Sequence, residues 1–336
     1  MTDPVIQVQD LRREFVVRRK AGRFRRTRDV VAAVDDVTFT IAPGECVGYI
    51  GANGAGKSTT IKMITGILVP TSGHLRVCGL EPVRERTALA RRIGVVFGQR
   101  SQLWWDLPLR ESFRLLGAIH RLGDATWQAR LDECVALLDM AAFLDTPVRQ
   151  LSLGQRMRGE VTAALLHAPE LLVLDEPTIG LDLLSKERLR GFLVRERAER
   201  GTTILLTTHD LPDIERLCDR IVVVDAGRVA FDGTLPGLVA RVGAERVLVV
   251  DLVAPAAPLT GVPGTTVTAV EADGLRQHLS FRAEETTAAA VIAAVSARVE
   301  LRDLSLTEPG IENVVRRLWS AGGDDYDAAT GDRQRP

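Results

Sequence analysis

The chain opens with short apolar runs separated by turns. Ile6 to Val8 and Val37 to Ile41 read as strands, and Cys46-Val47-Gly48-Tyr49-Ile50 reads as a buried strand running into a glycine-rich turn. From Ser101 to His167 the period becomes helical, with Leu131, Cys134, Leu137 and Leu138 on one face. Strands return at Leu171 to Leu174, Thr203 to Leu206 and Ile221 to Val224. This alternation predicts an α/β domain over residues 3–237, a parallel sheet with helices on its faces, interrupted by a helical insertion at about 101–168. After about residue 238 the texture changes. Val247 to Val253, Thr265 to Val270, Leu279 to Arg282 and Val299 to Leu304 read as strands. One helical face carries Val291, Ile292, Val295 and Val299, and another carries Ile311, Val314, Val315, Leu318 and Trp319. These predict a small α+β domain over 238–320 behind a short Gly-containing linker. The polar, glycine-rich stretch 321–336 is expected to be a disordered tail.

Composition narrows the classes. With 336 residues, 46% of them apolar, the chain can bury one large core or two ordinary ones. Its 43 basic and 44 acidic side chains leave a net charge of −1, which removes the overall positive field of a nucleic-acid coat protein. Only Lys20, Lys57, Lys62 and Lys186 are lysines, a bias best assigned to genome base composition. Seven positive charges crowd residues 18–28. That run reads either as a solvated hairpin insertion or as a segment attracting phosphates or anionic lipid. Cys46, Cys78, Cys134 and Cys218 lie far apart, without zinc spacing or a disulfide framework, as expected in a reducing cytoplasm. The charged N-terminus does not read as a signal peptide. The uncharged run Leu252 to Val270 is broken by Pro255, Pro258, Gly261, Pro263 and Gly264, so no membrane helix is expected.

Two segments carry chemistry. Gly51-Ala52-Asn53-Gly54-Ala55-Gly56-Lys57-Ser58-Thr59 fits the phosphate-loop pattern G-x-x-x-x-G-K-[ST], between a strand and a helix as that loop requires. The glycines let backbone N–H groups curl around the β- and γ-phosphates, and the helix turns its positive end to the same charge. Lys57 brings a compact ammonium where a planar guanidinium fits poorly, and Ser58 offers a hydroxyl to Mg²⁺. At average residue usage the pattern arises by chance in roughly 1% of chains this long, and less often in a chain so poor in lysine. The second segment is Leu171-Leu-Val-Leu-Asp175-Glu176-Pro177, a buried strand that delivers two carboxylates to the sheet's C-terminal edge. There Asp175 is placed to hold Mg²⁺ through water and Glu176 to polarise an attacking water.

Together with a third element, these resemble the ATP-binding subunit of an ABC transporter. Leu151-Ser152-Leu153-Gly154-Gln155 is similar to the family's LSGGQ signature, with Leu153 in place of the first glycine. The resemblance covers residues 3–237 and implies a P-loop NTPase fold, a RecA-like core with an ABC-type β subdomain and a helical insertion. It implies ATP and Mg²⁺ as cofactors, with Ser152, Gly154 and Gln155 on nucleotide. Gln99 matches the Q-loop, which reaches the metal, and Asp182 in Gly180-Leu181-Asp182 matches the D-loop. His209 matches the switch histidine and Phe15 the aromatic that stacks on adenine. The small domain resembles the C-terminal extension of some exporter subunits.

In the family the signature serine completes the site of a second cassette. The resemblance therefore implies a homodimer enclosing two ATP, driving a separate membrane permease from the cytoplasmic face of the membrane, with small-molecule or lipid-like cargo handled by the permease and no nucleic acid expected. Gly98 to Pro108 resembles a subgroup of exporter ATPases. Leu103-Trp104-Trp105 with Leu107 reads either as a permease docking surface or as packing inside the helical insertion. The main alternative is a non-transport ABC ATPase acting on nucleic acid or ribosomes; a weaker one binds ATP without turnover. A single cassette, no long heptads and no zinc spacing weigh against the first.

Overall fold

The computed structural model describes residues 3–20, 26–98, 101–208, 210–242, 245–282 and 284–307. Gln99, His209, the helix expected over 311–319 and the tail expected over 321–336 lie outside the described residues. The chain divides into two compact units, Met1–Thr234 and Leu235–Pro336.

The first unit begins with β1 (Ile6–Lys20), β2 (Arg26–Ile41), β3 (Cys46–Gly51), α1 (Lys57–Ile64), β4 (Ser72–Val77), α2 (Arg86–Leu89) and β5 (Ile93–Phe97). The helical insertion follows as α3 (Leu109–Ile119), α4 (Asp124–Leu137) and α5 (Leu153–Leu165). The chain then returns as β6 (Leu171–Asp175), α6 (Leu183–Arg200), β7 (Thr203–Thr207), α7 (Leu211–Leu217), β8 (Arg220–Asp225) and β9 (Arg228–Gly233). The main sheet has the order β5-β6-β7-β3-β8-β9, with only β9 antiparallel to its neighbour. β3 and β7 are buried throughout, as strands covered on both faces must be, which is why they read as unbroken apolar runs. Because β3, β6 and β7 are parallel neighbours in this sheet, Gly51, Asp175 and Thr207 all end at one edge, where ligands bind in open α/β sheets.

A second sheet, β2-β1-β4, is antiparallel. β1 and β2 extend well past the short strands expected from sequence. Pairing with β4 stops at Arg12, yet the two strands continue as a ribbon to the pair Lys20–Arg26. Val16, Val17, Val30 and Val31 are exposed on that ribbon. Of the basic run 18–28, residues 18–20 pair with 26–28 at the last described rungs of the ribbon, and residues 21–25 lie outside the described residues.

The insertion packs Phe113, Leu116, Trp127, Leu131, Cys134, Leu138, Met157 and Val161 into one buried cluster, and Leu137 is half-buried beside it. Close helix contact explains one glycine: a Cβ on Gly117 of α3 would meet the Trp127 ring of α4 at 3.3 Å.

The second unit comprises α8 (Leu235–Val242), β10 (Glu245–Leu252), β11 (Thr265–Glu271), β12 (Arg276–Arg282), α9 (Ala288–Ser296) and β13 (Leu301–Thr307). The sheet order β11-β12-β10-β13 is antiparallel throughout. Val291 and Val295 of α9 pack on Leu248, Val250, Leu279 and Phe281. The two units divide between Thr234 and Leu235, at the start of α8, whereas the division expected after residue 237 falls within that helix. No described helix is long and apolar enough to cross a membrane.

Candidate functional site

The loop from Gly51 to Gly56 is wrapped tightly enough to exclude side chains. A Cβ on Gly51 would lie 2.3 Å from the Val224 carbonyl oxygen. Gly56, at φ +99°, caps α1 in the left-handed region, and a Cβ there would lie 2.3 Å from the Ala33 carbonyl oxygen. No side chain caps α1, so the N–H groups at its start remain donors toward the loop. Lys57 is buried and folds back over the loop, donating from Nζ to the carbonyls of Gly51 (2.6 Å) and Ala52 (3.0 Å). Burial lowers its pKa, while the charges of Glu176 and Asp175 work in the opposite direction. Ala55 is buried, Ala52 and Thr59 half-buried, and Asn53 and Ser58 exposed.

Facing this loop, β6 buries Leu171 to Leu174 and then releases Asp175 and Glu176. Thr207, at the end of β7, holds both. Its hydroxyl donates to Asp175 Oδ1 at 2.6 Å, and the Glu176 N–H donates to its carbonyl at 3.0 Å and meets Oγ1 at 3.1 Å. Glu176 takes φ +54°, a left-handed turn that swings the chain sharply at the strand end. Ser58, Asp175 and Glu176 line one cleft of about 360 Å³ together with Lys62, Ile67, Phe97, Gly98 and Ile179.

The signature segment lies outside that lining. Ser152 caps α5 through a reciprocal pair: the Gln155 N–H donates to Ser152 Oγ at 3.2 Å, and the Ser152 N–H donates to Gln155 Oε1 at 2.9 Å. Gln155 is thereby engaged within its own helix. Leu153, where the family has glycine, packs on the D-loop: a Cβ on Gly180 would lie 2.6 Å from Leu153 Cδ2. Gly154 backs onto the same loop, with Ser185 Oγ 3.0 Å from where its Cβ would stand. Asp182 caps α6, accepting from Ser185 N–H (2.9 Å) and Ser185 Oγ (2.8 Å); these bonds hold its carboxyl below the usual range.

Phe15 sits half-exposed on the ribbon, opposite Val31, with the Arg13 guanidinium 4.7 Å from its ring centre. The loop at Gly56 touches β2 at Ala33, two residues from Val31. Gln99 and His209 lie outside the described residues, but the flanks of His209 are anchored. Asp213, fully buried on α7, accepts from Thr178 (2.5 Å), Thr208 (3.0 Å) and Arg190 (2.6 Å). Asp210 is gripped by Lys186 and Arg190 of α6. Sequence reasoning missed Thr207 and Asp213. A hydroxyl at a strand end and an acid in a helix acquire meaning only once three elements are brought together.

Among the described residues no three His, Cys, Asp or Glu side chains cluster to hold a metal by themselves. One hydroxyl and one carboxylate on a shared cleft, Ser58 and Asp175, fit Mg²⁺, which takes few protein ligands beside phosphate oxygens.

Residues 34–179 match the ABC transporter family. The chain is 37% identical over 300 residues to the daunorubicin resistance ATP-binding protein DrrA3 of Streptomyces coeruleorubidus, covering 87% of this chain and 92% of that one. It is 36% identical over 267 residues to the Nod factor export ATP-binding protein I of Paraburkholderia xenovorans (strain LB400), covering 75% and 86% of the two chains. Among solved structures it resembles a dimeric ATP-binding cassette in a post-hydrolysis state bound to ADP and Pi, at TM-score 0.58 and 25% identity, over 68% of this chain and 98% of that one. With a phosphate loop, a paired-carboxylate strand and a capped signature helix on one P-loop scaffold, the chain belongs to the ATP-hydrolysing subunits of ABC transporters.

Proposed function

We propose that two copies of this chain close around two Mg-ATP and drive export through a separate membrane permease. The observation that carries this reading is the split site. Ser58, Asp175 and Glu176 line one cleft, whereas Ser152 and Gly154 lie outside its lining at the start of α5, Gly154 against Asp182 and Ser185. A second copy, placed head to tail, supplies its Ser152 and Gly154 to the γ-phosphate side of the first, and a two-fold pair completes both sites at once. The solved dimer with ADP and Pi supports this assembly. Lys57 and the loop N–H groups hold the β- and γ-phosphates, with Thr59, Asn53 and Phe15 toward the rest of the nucleotide. Ser58, Asp175 and Gln99 hold Mg²⁺, which supplies charge neutralisation on the phosphates. Glu176 orients and deprotonates the water, and His209 contacts the γ-phosphate. ATP favours the closed pair, and hydrolysis removes the group bridging its halves.

Export is supported by the names of the two relatives, one a drug-resistance protein and one a Nod factor exporter. A permease surface is supported by Trp104 and Trp105, 37% and 50% exposed while Leu103 beside them is buried. The protein then works peripherally, at the cytoplasmic face of the membrane. Substituting Glu176→Gln is expected to lower ATP turnover by ~10²-fold or more, the scale of losing a general base, while ATP binding persists. Unchanged turnover would remove Glu176 from the mechanism. Purification from native membranes is expected to recover an integral membrane protein; recovery with nucleic acid instead overturns the transport reading.

A further inference from the structure

Three acids are buried among the described residues: Glu160, Glu196 and Asp213. Glu196 meets Arg130 and Asp213 meets Arg190, each at 2.6 Å. Glu160, on α5, makes no ion pair with a described residue. Its carboxylate instead accepts from the Ser101 hydroxyl and from the Gln102 backbone N–H at 3.2 Å. The Gln102 amide returns the contact, donating to the Glu160 carbonyl at 3.1 Å. Burial pushes the Glu160 carboxyl up, with the Ser101 and Gln102 hydrogen bonds opposing the rise.

Holding a carboxylate in that buried position costs stability, because burial favours a side chain without charge, an effect the Ser101 and Gln102 hydrogen bonds and the charge of Arg156 only oppose. The residue before Glu160 packs on apolar side chains of the same segment, since a Cβ on Gly159 would lie 2.8 Å from Leu109 and 3.2 Å from Leu103. One turn earlier, the Arg156 guanidinium stands 5.5 Å from the Trp105 ring centre. Two successive turns of the signature helix, at Arg156 and at Gly159-Glu160, thus grip the segment 101–109, and the hydrogen-bonded grip falls on the residues that directly follow Gln99 and Arg100.

We propose that Glu160 is a positioning residue of the ATPase. It locks the segment leaving the Q-loop onto the helix that begins at Ser152, so that the exposed Trp104-Trp105 surface and the signature serine move as one piece. Displacement of that surface then reaches the signature through α5 directly. This rests on the proposed roles of Ser152 and of the tryptophan surface.

The test uses the full-length chain, with Glu160→Leu, Glu160→Gln, Ser101→Ala and, in parallel, Glu176→Gln. Thermal midpoint, direct ATP affinity and kcat are measured for each. Glu160→Leu removes the buried charge but leaves the Ser101 hydroxyl and the Gln102 N–H without their acceptor, so the thermal midpoint is expected to move little and ATP affinity to stay within about 2-fold, while kcat falls about 10-fold or more, as misplacing a reacting group does. Glu160→Gln, which retains an acceptor for the Gln102 N–H, restores most of that loss, and Ser101→Ala falls between. An unchanged kcat in Glu160→Leu overturns the proposal, and so does a loss of kcat matched in every variant by a fallen thermal midpoint. If turnover persists in Glu176→Gln, the catalytic reading of the cleft is at fault, whichever way the Glu160 variants behave.

Discussion

Lys57 is one of four lysines among 43 basic residues, and its surroundings explain why arginine does not take its place. Its ammonium is buried against two loop carbonyls, 2.6 and 3.0 Å away, in a space bounded by Gly51 and Gly56, where even a methyl group would clash. A guanidinium is broader, planar and unable to converge on that point. Lys57→Arg is therefore expected to leave the chain folded but weaken ATP binding by about 10-fold or more, roughly 1.4 kcal/mol, read by direct nucleotide titration. Near-wild-type affinity would show that only the charge matters. Lys57, Ser58, Asp175 and Glu176 were legible in sequence because each sits in a short motif with fixed spacing. Thr207 and Glu160 were not. Their partners lie 32 and 59 residues away, at Asp175 and Ser101, and no local pattern marks a hydroxyl or a carboxylate for such a contact.

Elements were legible where burial is uniform and obscured where it is not. β3, β6, β7 and β8 announce themselves because both faces are covered, so each carries a run of apolar residues. The β1–β2 ribbon carries exposed valines and a run of arginines, so only its buried base reads as strand. α6 was passed over for a related reason: its surface is heavily charged, and its attachment is partly ionic. Arg130 of α4 reaches Glu196 of α6 at 2.6 Å, with both side chains nearly excluded from water, and also bonds Glu133 at 2.9 Å. Removing one member strands the other charge in the interior. Arg130→Ala is expected to destabilise the protein by about 3 kcal/mol in urea denaturation, and the double change Arg130→Leu with Glu196→Leu to recover most of it. A mild single-mutant effect would show that Arg200, 3.6 Å from Glu196, takes over the pairing.

At the scale of the whole molecule, every candidate site residue from Phe15 to His209 falls within the unit Met1–Thr234. That unit owns two large buried clusters, one spanning the β subdomain and sheet, the other joining the sheet to the helical insertion. The unit Leu235–Pro336 closes its own core between α9 and a four-stranded sheet. A chain ending at Thr234 therefore keeps the complete phosphate loop, both carboxylates and the signature helix on their own scaffold. Ligand binding to a folded state stabilises it by RT ln(1 + [L]/Kd), about 2.7 kcal/mol at 100-fold saturation. For a chain near this length that is a rise of about 5–10 °C in thermal midpoint. The truncated chain is expected to show the same Mg-ATP-induced rise as the full one, and Lys57→Arg in either background to diminish it. A truncated chain that folds yet loses the nucleotide shift would place part of the ATP site beyond residue 234, and the second unit would then have to be counted within the machinery that holds the nucleotide.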